Sequence, residues 1–285
     1  MIILALATWL ELLRLLHTPM APLVVATGFT QVSVRNGYVA LTNPAGRARF
    51  LSTDGHLAIQ LNDTAYVSIS DRMFWYVKRD HKTLCYQRPG NDKHSCRILD
   101  GQYVYVAGIH GYATDMWYFS QRSDSLDWYN MYRVTSERPT KSTFVKKVYS
   151  PMGQPAWCEG NNAEFGLRQR NRTVFDGVVR KRTVESQGGL ASCASNDGRI
   201  AAIIGLRLVI DGRSAAPVER ANDLWPVRDY WLEQYGIGKS ELFDVQGHPL
   251  DSFSFPACFR MVSDGTIVYL ITYRVEGNCA QGDST

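Results

Sequence analysis

Few residues able to do chemistry stand together in this sequence. His110 lies in Gly108-Ile109-His110-Gly111-Tyr112 with Asp115 close by, and a histidine between glycines has room to act as a general base. No serine or cysteine nucleophile accompanies it in a recognisable pattern, so it reads as a solvated loop histidine. His81 beside Asp80 and His248 before Pro249 read the same way. The sequence contains no GxSxG nucleophile elbow, no HExxH zinc helix, no phosphate-binding loop and no complete dinucleotide-binding glycine pattern. Gly236-Ile237-Gly238 lacks the third glycine. The carboxylates are too dispersed to nominate a glycosidase pair. The chain is therefore not expected to be an enzyme and needs no cofactor. An extracellular hydrolase with a dispersed site around His110 and Asp115 is kept as an alternative.

Two other clusters point to recognition. Met116-Trp117-Tyr118-Phe119 is followed by Asp127-Trp128-Tyr129-Asn130-Met131-Tyr132-Arg133. In strands, alternation sends Trp117 and Phe119 to one face and Tyr118 to the other. It likewise separates Trp128, Asn130 and Tyr132 from Tyr129, Met131 and Arg133. If one face is core, the other presents tyrosine, tryptophan and arginine, which make strong contact surfaces. Trp117, Tyr118, Trp128, Tyr129, Tyr132 and Arg133 are the candidate ligand-binding residues of this segment. The second cluster is basic: Arg168, Arg170 and Arg172, then Arg180, Lys181 and Arg182, with Asp176 the only acid among them. It suits an acidic protein partner or sulfated glycans.

The cysteines indicate the compartment. Cys85, Cys96, Cys158, Cys193, Cys258 and Cys279 are six in number, an even count that suits three disulfides. Zinc wants close pairs of ligands; no CxxC occurs and the histidines are scattered, so no metal site is expected. Cys85 and Cys96 flank the turn formers Arg88 to Asp92, and a loop clasped by that pair is expected. The other four cysteines allow three pairings. Asn62-Asp63-Thr64 and Asn171-Arg172-Thr173 are glycosylation sequons, so Asn62 and Asn171 are candidate acceptors. Residues 1–26 read as a signal peptide, with Val24 and Ala26 at the positions a signal peptidase prefers. No later segment approaches the ~18–20 apolar residues of a membrane span. The protein is expected to be secreted, with residues 27–285 forming one β-rich extracellular domain and a weak boundary near 150–166.

Positioning these residues requires strands. Asp-Gly occurs six times, at Asp54, Asp100, Asp176, Asp197, Asp211 and Asp264, and suits tight hairpin turns because both residues tolerate positive φ. Strand signals cover Val32 to Leu41, Leu57 to Leu61, Tyr66 to Ile69, Met73 to Lys78, Tyr103 to Val106, Met116 to Phe119, Met131 to Val134, Phe144 to Tyr149, Val174 to Val179, Ile200 to Ile204, Leu206 to Ile210 and Ile267 to Ile271. Leu224, Val227, Trp231 and Tyr235 recur at three- and four-residue steps, predicting one short helix near 223–235. Three cysteines precede Asp-Gly turns at similar distances, but those turns are unevenly spaced, without the fixed period of a solenoid or propeller. The expected fold is a mainly β, disulfide-stapled antiparallel sandwich or pair of packed sheets.

Lysine and arginine number 31 against 27 acids, too even a balance for nucleic-acid binding. These features together suggest a secreted or cell-surface glycoprotein that binds an extracellular protein ligand. An immune-modulating decoy of a virus or parasite is one form such a protein takes. A carbohydrate-binding module stacking Trp117 and Trp128 on sugar rings is the other binding alternative.

Overall fold

The computed structural model describes residues 31–272, apart from 53–55, 72, 100–103, 123–124, 161–162, 171, 178–182, 197, 219–222, 236–238, 255–258 and 264–267. Within them, short turns pair most strands with a sequence neighbour. Asn36 and Gly37 (φ 49° and 76°) link β1 (Gln31–Arg35) to β2 (Tyr38–Thr42). The first sheet continues with β3 (Ala48–Ser52) and β4 (Leu57–Leu61). The second comprises β5 (Thr64–Ser70), β6 (Met73–Lys78), β7 (Thr83–Gln87) and β8 (Ser95–Ile98). The third has the longest strands: β9 (Val104–Tyr112), β10 (Asp115–Arg122), β11 (Ser125–Thr135) and β12 (Thr143–Tyr149).

Two short strands follow, β13 (Ala156–Trp157) and β14 (Glu159–Gly160). The first of them opens the fourth sheet, with β15 (Glu164–Gln169), β16 (Arg172–Gly177) and β17 (Thr183–Gln187). The second pairs in parallel with β18 (Leu190–Asn196) of the fifth sheet, which continues through β19 (Arg199–Ile204), β20 (Arg207–Ile210) and β21 (Arg213–Pro217). The sixth sheet holds β22 (Asp223–Val227), β23 (Tyr230–Tyr235), β24 (Lys239–Asp244) and β25 (Pro249–Ser254). A last hairpin, β26 (Phe259–Ser263) and β27 (Val268–Thr272), packs its first strand between β22 and β1 and so closes a ring.

The core is divided among the gaps between successive sheets. Ala40 and Phe50 meet Ile69 and Phe74 between the first and second sheets. Trp75, Val77 and Leu84 meet Val106, Met116, Tyr118 and Val134 between the second and third. Trp117, Phe119 and Met131 meet Phe165, Leu167 and Val174 between the third and fourth. Phe175 packs with Leu190 and Ile200, and Leu208 with Leu224, Trp231 and Phe243, across the next two gaps. A fully buried side chain such as Trp75 or Phe119 contributes roughly 1.5–3 kcal/mol, and each gap holds several.

This arrangement overturns the expected sandwich. A sandwich has two sheets, each with one solvated face, and its strands alternate. Here Met73 to Val77 is buried at every position, because both faces of its sheet carry a neighbouring sheet. The expected helix is also replaced, by the β22–β23 hairpin turning at Arg228 and Asp229, with Val227 paired to Tyr230 and Leu224 to Glu233. Arg228 takes φ 48° in that turn. The long strand expected over Val32 to Leu41 is two strands folded at Asn36-Gly37. Of the six Asp-Gly pairs, Asp211-Gly212 (φ 52° and 83°) turns β20 into β21, whereas Asp176-Gly177 ends β16. The remaining four involve Asp54, Asp100, Asp197 and Asp264, which lie outside the described residues.

Both disulfides that can be described join neighbours. Cys85 and Cys96 face each other across β7 and β8, as the turn formers between them suggested. Cys158, just after β13, is bonded to Cys193 in β18, tying the fourth sheet to the fifth. Cys258, Cys279 and residues 1–26 lie outside the described residues. No helix among the described residues is long and apolar enough to cross a membrane.

Candidate functional site

The third sheet positions most of the aromatic candidates, and its two buried faces sort them. Trp117 and Tyr129 point into the gap toward the fourth sheet and Tyr118 into the gap toward the second, all buried. Burial pushes the Tyr129 hydroxyl above its ordinary pKa, with Asp127 adding to the shift. Tyr132, half-buried, stacks on Tyr118 at 5.1 Å, and Tyr118 donates a hydrogen bond to Ser142 Oγ at 2.9 Å. Arg133 donates from Nε to Asp115 Oδ2 at 2.6 Å, and its guanidinium lies 5.3 Å from the Trp117 ring centre. Its charge is thus engaged within the sheet.

Trp128 differs. It is 48% exposed and lies against Tyr149 across the β11–β12 pair, with ring centres 4.9 Å apart. On the same outer strand Phe144 is 52%, Val145 36% and Tyr149 43% exposed. Leu126 and Met152 are exposed nearby in the chain. The strand signal over Phe144 to Tyr149 was legible, but its place at the rim of the sheet was not, so these residues escaped notice as candidates.

The basic cluster is only partly available. Arg168 donates to the Leu190 carbonyl at 2.5 Å, and Arg172 pairs with Glu185 at 2.6 Å. Arg170 is exposed beside an open groove with Gln169, Arg172, Glu185, Ser186, Gln187 and Gly212. Arg180, Lys181 and Arg182 lie outside the described residues. Asn62 is exposed in the turn between β4 and β5, while Asn171 is likewise not described.

A cavity of about 470 Å³ runs along the ring's axis. It is lined by first strands of the sheets: Ser33 to Arg35, Tyr66 to Ile69, Ala107 to Gly111, Asp223, Trp225 and Ser263, with Gln154 to Trp157, Glu159 and Gly160. Arg35 donates to the Gly111 carbonyl at 2.5 Å and to that of Gly160 at 3.4 Å. His110 is part of β9, half-buried and stacked on Trp157 at 5.2 Å, rather than in a solvated loop. Asp115 is turned to Arg133. Near Tyr66 a polar chain leads outward. The His81 Nδ1 meets the Val106 carbonyl at 3.0 Å, and a carbonyl only accepts, so Nδ1 carries the proton. His81 Nε2 then accepts from the Tyr105 hydroxyl at 3.3 Å. Burial, with the hydrogen bond and charge of Tyr105 adding, pushes Tyr66 up to about 12. Among the described residues no group of three or more His, Cys, Asp or Glu side chains is placed to hold a metal ion.

Neither a protein-family model nor a curated protein sequence matches the chain. Solved structures do. U3-55K superposes with a TM-score of 0.61 at 10% identity, covering 89% of this chain and 93% of that one. The Dos1 propeller gives 0.57 at 7% identity, covering 86% and 76%. BamB from Moraxella catarrhalis gives 0.51 at 12%, covering 84% and 78%. Such low identities establish the fold and nothing further: the ring of small radial sheets is a β-propeller, and each sheet is a blade.

Proposed function

We propose that this chain is a secreted, glycosylated propeller that binds a protein ligand through the outer rim of its third blade. The observation that carries the reading is the exposed strip of Trp128, Tyr149, Phe144 and Val145 on one blade edge. Aromatic side chains dominate the energetics of protein interfaces, and a cluster of them left open to water on a blade rim favours an interaction surface. The two disulfides support an oxidising compartment, and exposed Asn62 supports glycosylation there.

The test is capture from a library of extracellular proteins by the chain expressed through a secretory pathway, alongside a Trp128→Ser/Tyr149→Ser double variant. Both side chains are half exposed, so the variant should keep its melting temperature. A specific partner held by the parent and lost by the variant is the expected result. A partner held equally by both overturns the assignment of this rim. Glycan binding that depends on Trp128, with no protein partner, replaces it with the carbohydrate reading.

A further inference from the structure

Every blade of a propeller ends in an edge strand whose outer backbone groups have no ladder partner, and such edges invite pairing unless they are short, charged or interrupted by proline. Most outer strands here are defended in one of these ways. The outer strand of the second blade has four residues, that of the fifth ends at Pro217, and that of the sixth begins with Pro249. The outer strand of the fourth blade exposes Thr183, Glu185 and Gln187. By contrast β12 runs for seven residues and exposes large apolar side chains.

Its backbone alternation fixes what faces outward. Ser150 donates its N–H to the Asp127 carbonyl at 2.8 Å, which makes that a hydrogen-bonded pair. Alternation along an antiparallel ladder then turns the N–H and C=O of Tyr149, and again of Lys147, away from β11. The charge of the edge is one-sided. From Arg138 to Cys158 the chain carries Arg138, Lys141, Lys146 and Lys147 and no aspartate or glutamate. Lys146 is held by Asp176 at 2.5 Å, whereas Lys141 and Lys147 are exposed. A second copy of β12 laid alongside would set like charges together, which disfavours self-pairing.

We propose that β12 accepts an added strand, an extended protein segment in which apolar and acidic residues follow one another at every second position, on one face. This rests on the reading of the third-blade rim as a protein-binding surface. The added strand pairs its backbone with the outward groups of Tyr149 and Lys147. Tyr149 and Lys147 are two residues apart and share a face of β12. On that face an apolar residue of the added strand lies on Tyr149 and Trp128, the next residue of the same face is a carboxylate that meets Lys147, and a further acid beyond it meets Lys141. Main-chain bonds supply affinity in this mode, and alternate side chains supply specificity.

The experiment uses a fluorescent peptide of β12's own seven-residue length, with Val or Phe and Glu or Asp following one another at every second position and Thr between them, and reads binding by anisotropy. Two controls carry the same sequence N-methylated at every second amide, one in each register; a third replaces the acids with lysine. The acidic peptide is expected to bind, with at least about tenfold loss for one N-methylated register and for the lysine peptide. Rising salt should weaken binding. A Lys141→Glu/Lys147→Glu variant is expected to reverse the charge preference while keeping its melting temperature.

Equal binding by both N-methylated peptides overturns strand addition, as does absence of binding by the acidic peptide. Binding that appears only after residues 1–30 are removed assigns the edge to the chain's own N-terminal segment and also overturns the proposal. Sedimentation showing a dimer abolished by the charge reversal does the same in favour of a second copy. If partner capture is lost in the Trp128→Ser/Tyr149→Ser variant while N-methylation has no effect, the rim reading stands and strand addition alone fails.

Discussion

Arg35 Nη1 lies 2.5 Å from the carbonyl oxygen of Gly111, so a side chain of the first blade holds the innermost strand of the third. Gly111 also donates its N–H to Ser68 Oγ of the second blade at 2.7 Å. A Cβ built on Gly111 would stand 2.0 Å from the Ile69 carbonyl oxygen. Three blades therefore converge on one residue that has to be glycine. The Arg35 hydrogen bond to Gly160 extends the same tie to β14, so the axis is cross-linked by polar groups as well as packed.

Replacing Arg35 with alanine is expected to destabilise the fold by about 2 kcal/mol, since charged donors to partly buried carbonyls contribute roughly 1.5–3 kcal/mol. Gly111→Ala should cost more, because backbone rather than a yielding side chain opposes the added methyl. Urea unfolding of both variants checks the order. A Gly111→Ala protein as stable as the parent would contradict the close approach of the second and third blades.

The two described disulfides close loops of different size, with separations of 11 and 35 residues. On the chain-entropy account their removal costs about 3 kcal/mol for Cys85–Cys96 and about 4 kcal/mol for Cys158–Cys193. The second also joins two blades. Paired alanine variants compared by urea unfolding should rank in that order. Peptide mapping without reduction should recover both links and, by elimination, one between Cys258 and Cys279. A free thiol at either of the last two would count against folding in an oxidising compartment.

Local pairing was legible in the sequence, and the assembly of the sheets was not. Leu57 to Leu61 and Met73 to Lys78 are strands at the expected boundaries, because their apolar, β-branched and aromatic content acts within a few residues. The unbroken apolar run Met73 to Val77 already implied burial on two faces, a sign against a sandwich. Leu224 and Trp231 are seven apart, two helical turns, yet share a sheet face, because the intervening hairpin turn resets the alternation. Repetition was hidden by unequal blades: the first strands begin at residues 31, 64, 104, 156, 159, 223 and 259. At the rim, Trp128 was legible as an aromatic candidate. Its partner Tyr149 was not, since only the ring reveals which strand is outermost.

Two exposed turns should show in the acid stability. Burial pushes the Asp80 carboxyl up, but hydrogen bonds from the Thr83 hydroxyl and the N–H groups of Lys82 and Thr83 outweigh it and hold the group below its ordinary value. At Asp244 burial is likewise outweighed, by the N–H and ring of His248 and the N–H of Gln246. A carboxylate with a lowered folded pKa stabilises the protein above the unfolded value, near 4, and that stability is lost as pH falls through the folded value. Asp80→Asn and Asp244→Asn are expected to flatten the fall in stability below about pH 4. Urea midpoints measured from neutral pH down to pH ~3 test this, and unchanged slopes would refute it.

Tyr66 carries the opposite sign. Its hydroxyl, buried first of all and further held neutral by Tyr105, ionises at about 12 against an ordinary value of 10.0. A raised folded pKa means the contribution is complete below the unfolded value and is lost as pH rises through the folded one. Ultraviolet difference titration should therefore show one tyrosine fewer ionising in a Tyr66→Phe variant only near the alkaline end, with the earlier part of the curve unchanged. Tyr105→Phe should bring the Tyr66 transition down only part of the way, because burial, the larger cause, remains. If Tyr105→Phe leaves the late transition in place, Tyr105 does not hold the Tyr66 hydroxyl, and the chain from Tyr66 through Tyr105 to His81 is broken at its first link.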